Sequence, residues 1–351
     1  MRASKRRSRW PARMRPATTA HRRALRRAAL EAGNADVSKI AVVGLGLVGR
    51  AWAVSFARAG HEVAIWDENA EAIDDALRFV NRVLPDLDSH DLLAGQAPVN
   101  VRSRMRRAHA LEEALEGASY VQENTPEDVE IKRRVFARLD TVAEPDAVLA
   151  SSTSAILPSA FSERVKGRGR CLVAHPINPP YLIPAVEVIP APWTETSAIE
   201  AAETILRSAG HAPIVMKREI DGFVVNRLQG ALLEEAFRLV ADGFASIEDV
   251  DVALRDGLAL RWSFMGPFET IDLNAPGGVR DYAERYQKIY AQIFPSTQRR
   301  VDWAGPAMDG IEADRRSRVA VDKLGERAAW RDRRLMALAA HKKRAEDEIG
   351  K

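Results

Sequence analysis

The stretch KIAVVGLGLVGRAWAVSFARAG, Lys39 to Gly60, constrains the first half of this chain more tightly than any other feature. Its opening apolar run, Ile40 to Val43, has the length of a buried parallel strand. Gly44, Gly46 and Gly49 follow at once, and a helical pattern then carries Trp52, Val54 and Phe56 to Gly60, a C-terminal cap. A second strand in HEVAIWDEN ends at Asp67, 18 residues after the last glycine. Strand, glycine turn, helix, strand and acid in this order give a dinucleotide its seat. Gly44 permits the tight turn, Gly46 lets backbone approach a pyrophosphate, and Gly49 allows helix to pack closely on strand. The first helical residues, Leu47 and Val48, then offer free N–H groups to the phosphates. Asp67 is placed to accept from the adenosine ribose and to repel a 2′-phosphate. Glu68 and Asn69 supply no compensating arginine, so NAD is expected rather than NADP.

The alternation continues, with strands in ASYVQENT, AVLASST and CLVAHPIN and a helix in DVEIKRRVFARLD. This predicts an α/β, Rossmann-type doubly wound sheet with ligands at the carboxyl ends of its strands. Ser154 and His175 fall at such ends. From Asp221 the pattern is helical: NRLQGALLEEAFRLVADG places Leu228, Leu232, Ala236 and Leu239 on one face, and Ser246 with Asp249 marks a helix start. A chain of 351 residues exceeds one typical core. The expected division is a basic, disordered extension over 1–36, an NAD-binding domain over 37–218 and an all-helical substrate and dimerisation domain over 219–351.

Charge separates the extension from the rest. Residues 1–31 hold eleven Lys or Arg against Glu31 alone, leaving 41 basic and 48 acidic residues beyond. Such an arm suits nucleic acid, an anionic membrane or a transit signal; the plainer reading is a disordered tail, or codons translated ahead of a later start near Val37. The acidic body argues against nucleic acid as a partner. No apolar run is long enough to span a membrane. The single Cys171 excludes an internal disulfide and a cysteine-rich metal site and fits a reducing, cytoplasmic setting. No metal is expected.

HPINPPYLIPAVEV, His175 to Val188, sets a lone histidine and a lone glutamate apart by four prolines. Pro176, Pro179, Pro180 and Pro184 restrict φ and discourage helix, so the chain runs out and returns along a stiff path. That reads as a catalytic pair held with little entropy left to lose. Taken singly, each residue has a structural explanation: a packed histidine, a strand acid, a turn-capping Ser154, a polar Asn226 at a helix start.

Together these residues resemble the 3-hydroxyacyl-CoA dehydrogenase family over roughly residues 38–290. SSTS looks like its Ser-x-Thr-Ser turn, HPINP like its His-x-x-Asn-Pro, and VEVI and DGFVVNRL like two further segments. VQENTPEDVEIK, HPINPPYLIP, GPFETIDLNAPGG and WRDRRLMAL are closer to one branch, that of lambda-crystallin and L-gulonate 3-dehydrogenase. The resemblance implies that His175 is the general base for the substrate hydroxyl and that Glu187 fixes its tautomer. It implies that Ser154 and Asn226 donate to the reacting oxygen, that Asn178 positions the nicotinamide end, and that Glu127 and Lys132 touch the cofactor side. It also implies a homodimer.

For the substrate, the segment from Glu68 to Asp91 carries seven acids against Arg78 and Arg82, a poor match for the phosphates of coenzyme A. A free 3-hydroxy acid needs one cation, and Arg261 beside the Gly-Pro segment suits its carboxylate. The expectation is an NAD-dependent oxidation of an L-3-hydroxy acid resembling L-gulonate. The alternatives are 3-hydroxybutyryl-CoA or another acyl-CoA, L-carnitine with Trp262, Phe264 and Phe268 about its ammonium group, and a non-catalytic NAD-binding structural protein.

Overall fold

The computed structural model describes residues 37–350, so the basic extension lies outside the described residues. Eight strands form one sheet: β1 (Lys39–Val43), β2 (Glu62–Trp66), β3 (Met105–Arg107), β4 (Tyr120–Glu123), β5 (Val148–Ser151), β6 (Cys171–Pro176), β7 (Ala185–Pro190) and β8 (Ala212–Val215). Their order is β3-β2-β1-β4-β5-β6-β7-β8. All neighbours are parallel except β6 and β7, which pair antiparallel. The five strands read from sequence are present. The motif-based expectation lacks β3, β7 and β8, and the reversal at β7 is what matters for the site.

Strands β1, β4, β5 and β6 are buried along almost their whole length, as expected of a sheet covered on both faces. One face packs on the helix Leu47–Ala59, whose Trp52 and Phe56 stack at 5.0 Å and are inaccessible to solvent. Gly60 ends that helix at φ 105°, a conformation that suits glycine. The other face packs on Phe136 of the helix Val129–Val142, on Phe161 and on Phe223.

Beyond residue 224 the chain is helical, with long members at Val225–Ala241, Gly278–Thr297, Pro306–Arg318 and Leu324–Ile349. Ser246 caps Ile247–Val252 by accepting from the Asp249 amide at 3.1 Å. Arg238 is buried and donates to the carbonyls of Thr297 and Arg299, tying two helices together. Leu228 and Leu232, the stripe read from sequence, are exposed rather than enclosed. Helix Leu324–Ile349 returns to the first half, where its Met336 joins the core. Among the described residues no helix is long and apolar enough to cross a membrane.

Candidate active site

The glycine turn fits a dinucleotide. Gly44 has φ +85°, and a Cβ there would lie 2.8 Å from the Asn124 carbonyl; a Cβ on Gly49 would lie 1.8 Å from the Gly44 oxygen. Nothing stands within 4 Å of where a Gly46 Cβ would be, so that face is open to a ligand. Leu47 is exposed and Val48 half-buried at the helix start. A cavity of about 740 Å³ runs from Gly44 and Gly46 past Asp67 to Asn124 and Thr125. Asp67 Oδ2 accepts from the Leu45 amide at 2.7 Å and Oδ1 from the Asn69 amide at 2.9 Å. Each oxygen keeps a lone pair for a ribose hydroxyl. Arg138, distant in sequence, also lines this cavity, but its guanidinium is engaged by Glu112 at 3.1 Å.

Three strand spacings separate β1 from β6, roughly 14 Å along the carboxyl edge. There the antiparallel register pairs His175 directly with Glu187. Side chains of paired residues share a face, so the register alone brings imidazole to carboxylate. His175 Nδ1 and Glu187 Oε2 are 2.8 Å apart. With Nδ1 donating, Nε2 is left as the basic nitrogen. Glu187 Oε1 accepts from the amides of Val224 and Val225, at 2.7 and 3.0 Å. Burial pushes the Glu187 carboxyl up, but the bonds from His175 and these two amides outweigh it, and the group sits below the usual carboxylate range. The turn that delivers those amides is unusual: Phe223 has φ 49°, in the left-handed region, and its ring lies 5.5 Å from the imidazole. An arrangement of this kind leaves Nε2 free to exchange a proton, with a carboxylate behind the ring to stabilise the imidazolium.

Ser154 and Asn226 also meet, through backbone. Asn226 Nδ2 donates to the Ser154 carbonyl at 2.7 Å. Glu127 Oε1 accepts from the amides of Ser154 and Ala155, both at 3.0 Å, and from Thr153 Oγ1 at 2.5 Å. The Ser154 peptide is thus gripped at both ends, while its hydroxyl is exposed with only a 3.4 Å contact to Glu127.

Glu127 and Lys132 are engaged separately: Glu127 holds the Ser154 turn, while Lys132 is buried and donates to both oxygens of Glu123 at 3.1 Å and to the Thr125 carbonyl. Glu123, an acid in a wholly buried strand, is the sequence signal that foretells a buried partner. Asn178 is exposed on the connection after β6. Arg261 is exposed, within electrostatic reach of Tyr282, and among the described residues its side chain has no hydrogen bond tying it to His175 or Ser154. The acidic segment is also less bare than counted. Asp74 pairs with Arg107, Asp75 with Arg78 and Asp91 with Lys343. Val224 and Val225, inside the DGFVVNRL segment, give no signal of this role by residue type, because their part is played by backbone.

The NAD binding domain of 3-hydroxyacyl-CoA dehydrogenase matches residues 39–220, and the C-terminal domain of the same enzyme matches 222–305. A lambda-crystallin homolog from Bos taurus is 38% identical over 310 residues, covering 88% of this chain and 96% of the relative. An L-carnitine dehydrogenase from a Pseudomonas species is 35% identical, covering 86% of this chain and 93% of its own. Among solved structures, an NAD+-dependent dismutase, 5-formyl-3-hydroxy-2-methylpyridine 4-carboxylic acid 5-dehydrogenase, superposes with TM-score 0.74 at 27% identity, covering 88% of this chain and 99% of that one.

Proposed function

This chain belongs to the 3-hydroxyacyl-CoA dehydrogenase family, NAD-dependent oxidoreductases acting on a CH–OH group, and from that premise we propose that it oxidises the 3-hydroxyl of an L-3-hydroxy acid resembling L-gulonate. The observation that carries the proposal is the His175–Glu187 hydrogen bond of 2.8 Å at the carboxyl edge that also bears the glycine turn. NAD, when bound along Gly44, Gly46, Gly49 and Asp67, supplies the hydride acceptor. His175 Nε2 takes the hydroxyl proton, and Glu187 stabilises the imidazolium that results. The Ser154 hydroxyl and the second amide hydrogen of Asn226 stabilise the oxygen as charge develops on it. Residues 37–218 hold the cofactor, and 219–351 supply the substrate side and the contacts of a homodimer. The exposed Phe264 and Phe268 support that association.

A free acid is favoured because two relatives matched over nearly their whole lengths are named for free acids, a carnitine and a pyridine carboxylate. Arg261, free of any ion pair among the described residues, is the candidate carboxylate contact. Acyl-CoA is the second reading. Three of the seven acids in the segment are held in ion pairs, and Arg50 and Arg82 lie 4.4 and 5.7 Å from the Phe79 ring with no carboxylate ion pair among the described residues. NAD reduction against L-gulonate, L-carnitine, 3-hydroxybutyrate and 3-hydroxybutyryl-CoA separates these readings. Replacing His175 with Gln is expected to lower kcat by about a thousandfold with NAD affinity intact; unchanged turnover rejects the base assignment. Arg261→Met is expected to raise KM for the acid about tenfold or more and leave KM for NAD alone. Equal constants in the variant reject that role.

A further inference from the structure

Between the glycine turn and the catalytic edge lies a second polar network with Ser152 at its centre. Its Oγ accepts from Trp52 Nε1 at 3.0 Å and from Gln122 Nε2 at 2.7 Å, and donates to Asn124 Oδ1 at 2.7 Å. One hydroxyl hydrogen and two lone pairs are all used, so the direction of every bond is fixed. Tyr120 OH donates to Gln122 Oε1 at 2.8 Å, and Gln122 Nε2 also reaches the carbonyl of Ala174, the residue before His175, at 3.3 Å. Asn124 Nδ2 donates to the Val43 carbonyl, just before Gly44, at 3.2 Å and to the Gln122 carbonyl at 2.9 Å. Trp52, Tyr120 and Gln122 are fully buried, where an unpaired polar group is costly.

Asn124 also presses on the glycine turn and lines the dinucleotide cavity. A Cβ on Gly49 would lie 3.3 Å from its Nδ2, and one on Gly44 would lie 2.8 Å from its carbonyl. A displacement of the turn is therefore felt at Asn124, and through it at Ser152. Ser152 stands two residues before Ser154, and its partner Gln122 touches the strand that carries His175. We propose that Ser152 is a positioning residue for hydride transfer: its hydroxyl locks the turn that seats NAD to the two arms that present Ser154 and His175. This rests on the reading that those two residues face the reacting carbon.

The test compares Ser152→Ala with Ser152→Thr in the full chain, using the most rapidly oxidised member of the substrate panel at saturating NAD. Ser152→Ala is expected to lower kcat about tenfold or more while the calorimetric Kd for NAD moves less than about threefold, because small misplacements tax the chemical step. Ser152→Thr keeps the hydroxyl and is expected to restore kcat to within about threefold. Should the alanine variant not fold, Ser152→Cys, of similar size but a weak donor, takes its place with the same expected loss. A substrate-free readout runs in parallel: NAD is expected to slow hydrogen exchange in the peptide 151–156 of the wild type and the Thr variant, and not in the Ala variant. Undiminished kcat in Ser152→Ala, a Thr variant as slow as Ala, or protection by NAD that survives the loss of the hydroxyl each overturn the proposal. Full turnover in His175→Gln overturns the base assignment instead and leaves the Ser152 exchange comparison standing.

Discussion

The two halves of this molecule obey different packing rules. In the sheet half, the core is closed: Trp52, Phe56, Tyr120, Phe136 and Phe161 have almost no exposed surface. In the helical half the large apolar side chains point outward, with Phe264 at 70% and Phe268 at 78% exposure, and the described helices after residue 224 bury few of their residues. The sheet half closes both its faces with helices of the same chain, whereas the helices beyond it stop short of covering one another. The first half is closed, with Met336 of the last helix completing its core, while the second presents the kind of surface that association covers.

The sharpest way to break this contrast is a matched pair of substitutions. Phe56→Ala is expected to cost about 3–5 kcal/mol in urea unfolding, because a buried ring leaves a cavity in a dense core. Phe268→Ala, measured where the chain is monomeric, is expected to change stability by less than about 0.5 kcal/mol. Equal losses would mean that the helices hide a core of their own. A pH titration probes the sheet half next. Burial, opposed by its bond to the Pro184 carbonyl, lowers His211 to about 4 from an ordinary value of 6.5. The neutral imidazole accepts from Ser55 Oγ at 2.8 Å, and protonation places a charge in this buried site and obliges the Ser55 hydroxyl to turn and accept. Stability from this group is complete above pH 6.5 and is lost as pH falls towards 4, on the order of 3 kcal/mol across the window. Urea midpoints of the wild type and His211→Asn should diverge least at pH 4 and most at pH 7. The smallest expected effect on folding comes from Phe264→Lys with Phe268→Lys. Monomer stability is expected to stay within about 0.5 kcal/mol, while the proposed homodimer is expected to dissociate in sedimentation. A double variant that sediments like the wild type removes these rings from the interface.

How much of this was legible beforehand also divides along the chain. The glycine spacing foretold β1, the turn, its helix and the seat of Asp67, because each demands a specific backbone conformation or close approach. His175 and Glu187 were paired from the prolines between them, which foretold an out-and-back path, yet the antiparallel register that aligns them has no local signature, since β7 reads as one more apolar run. The partner of Lys132 was not legible, because Glu123 comes within its reach only once the strand is laid down beside the helix. The acid count around residues 68–91 misled in the same way, because its cations arrive from Arg107 and Lys343, far along the chain. Backbone donors such as the Val224 and Val225 amides leave no trace in residue identity at all.

One consequence of the β6–β7 pairing reaches beyond this molecule. The alignment of His175 with Glu187 is written into ladder register, whereas the connecting residues 177–184 serve the core through the buried Tyr181. A single inserted residue inside β7, by contrast, would swing Glu187 to the opposite side of the sheet. Any rebuilt version of this edge must therefore keep the residue count of the ladder first.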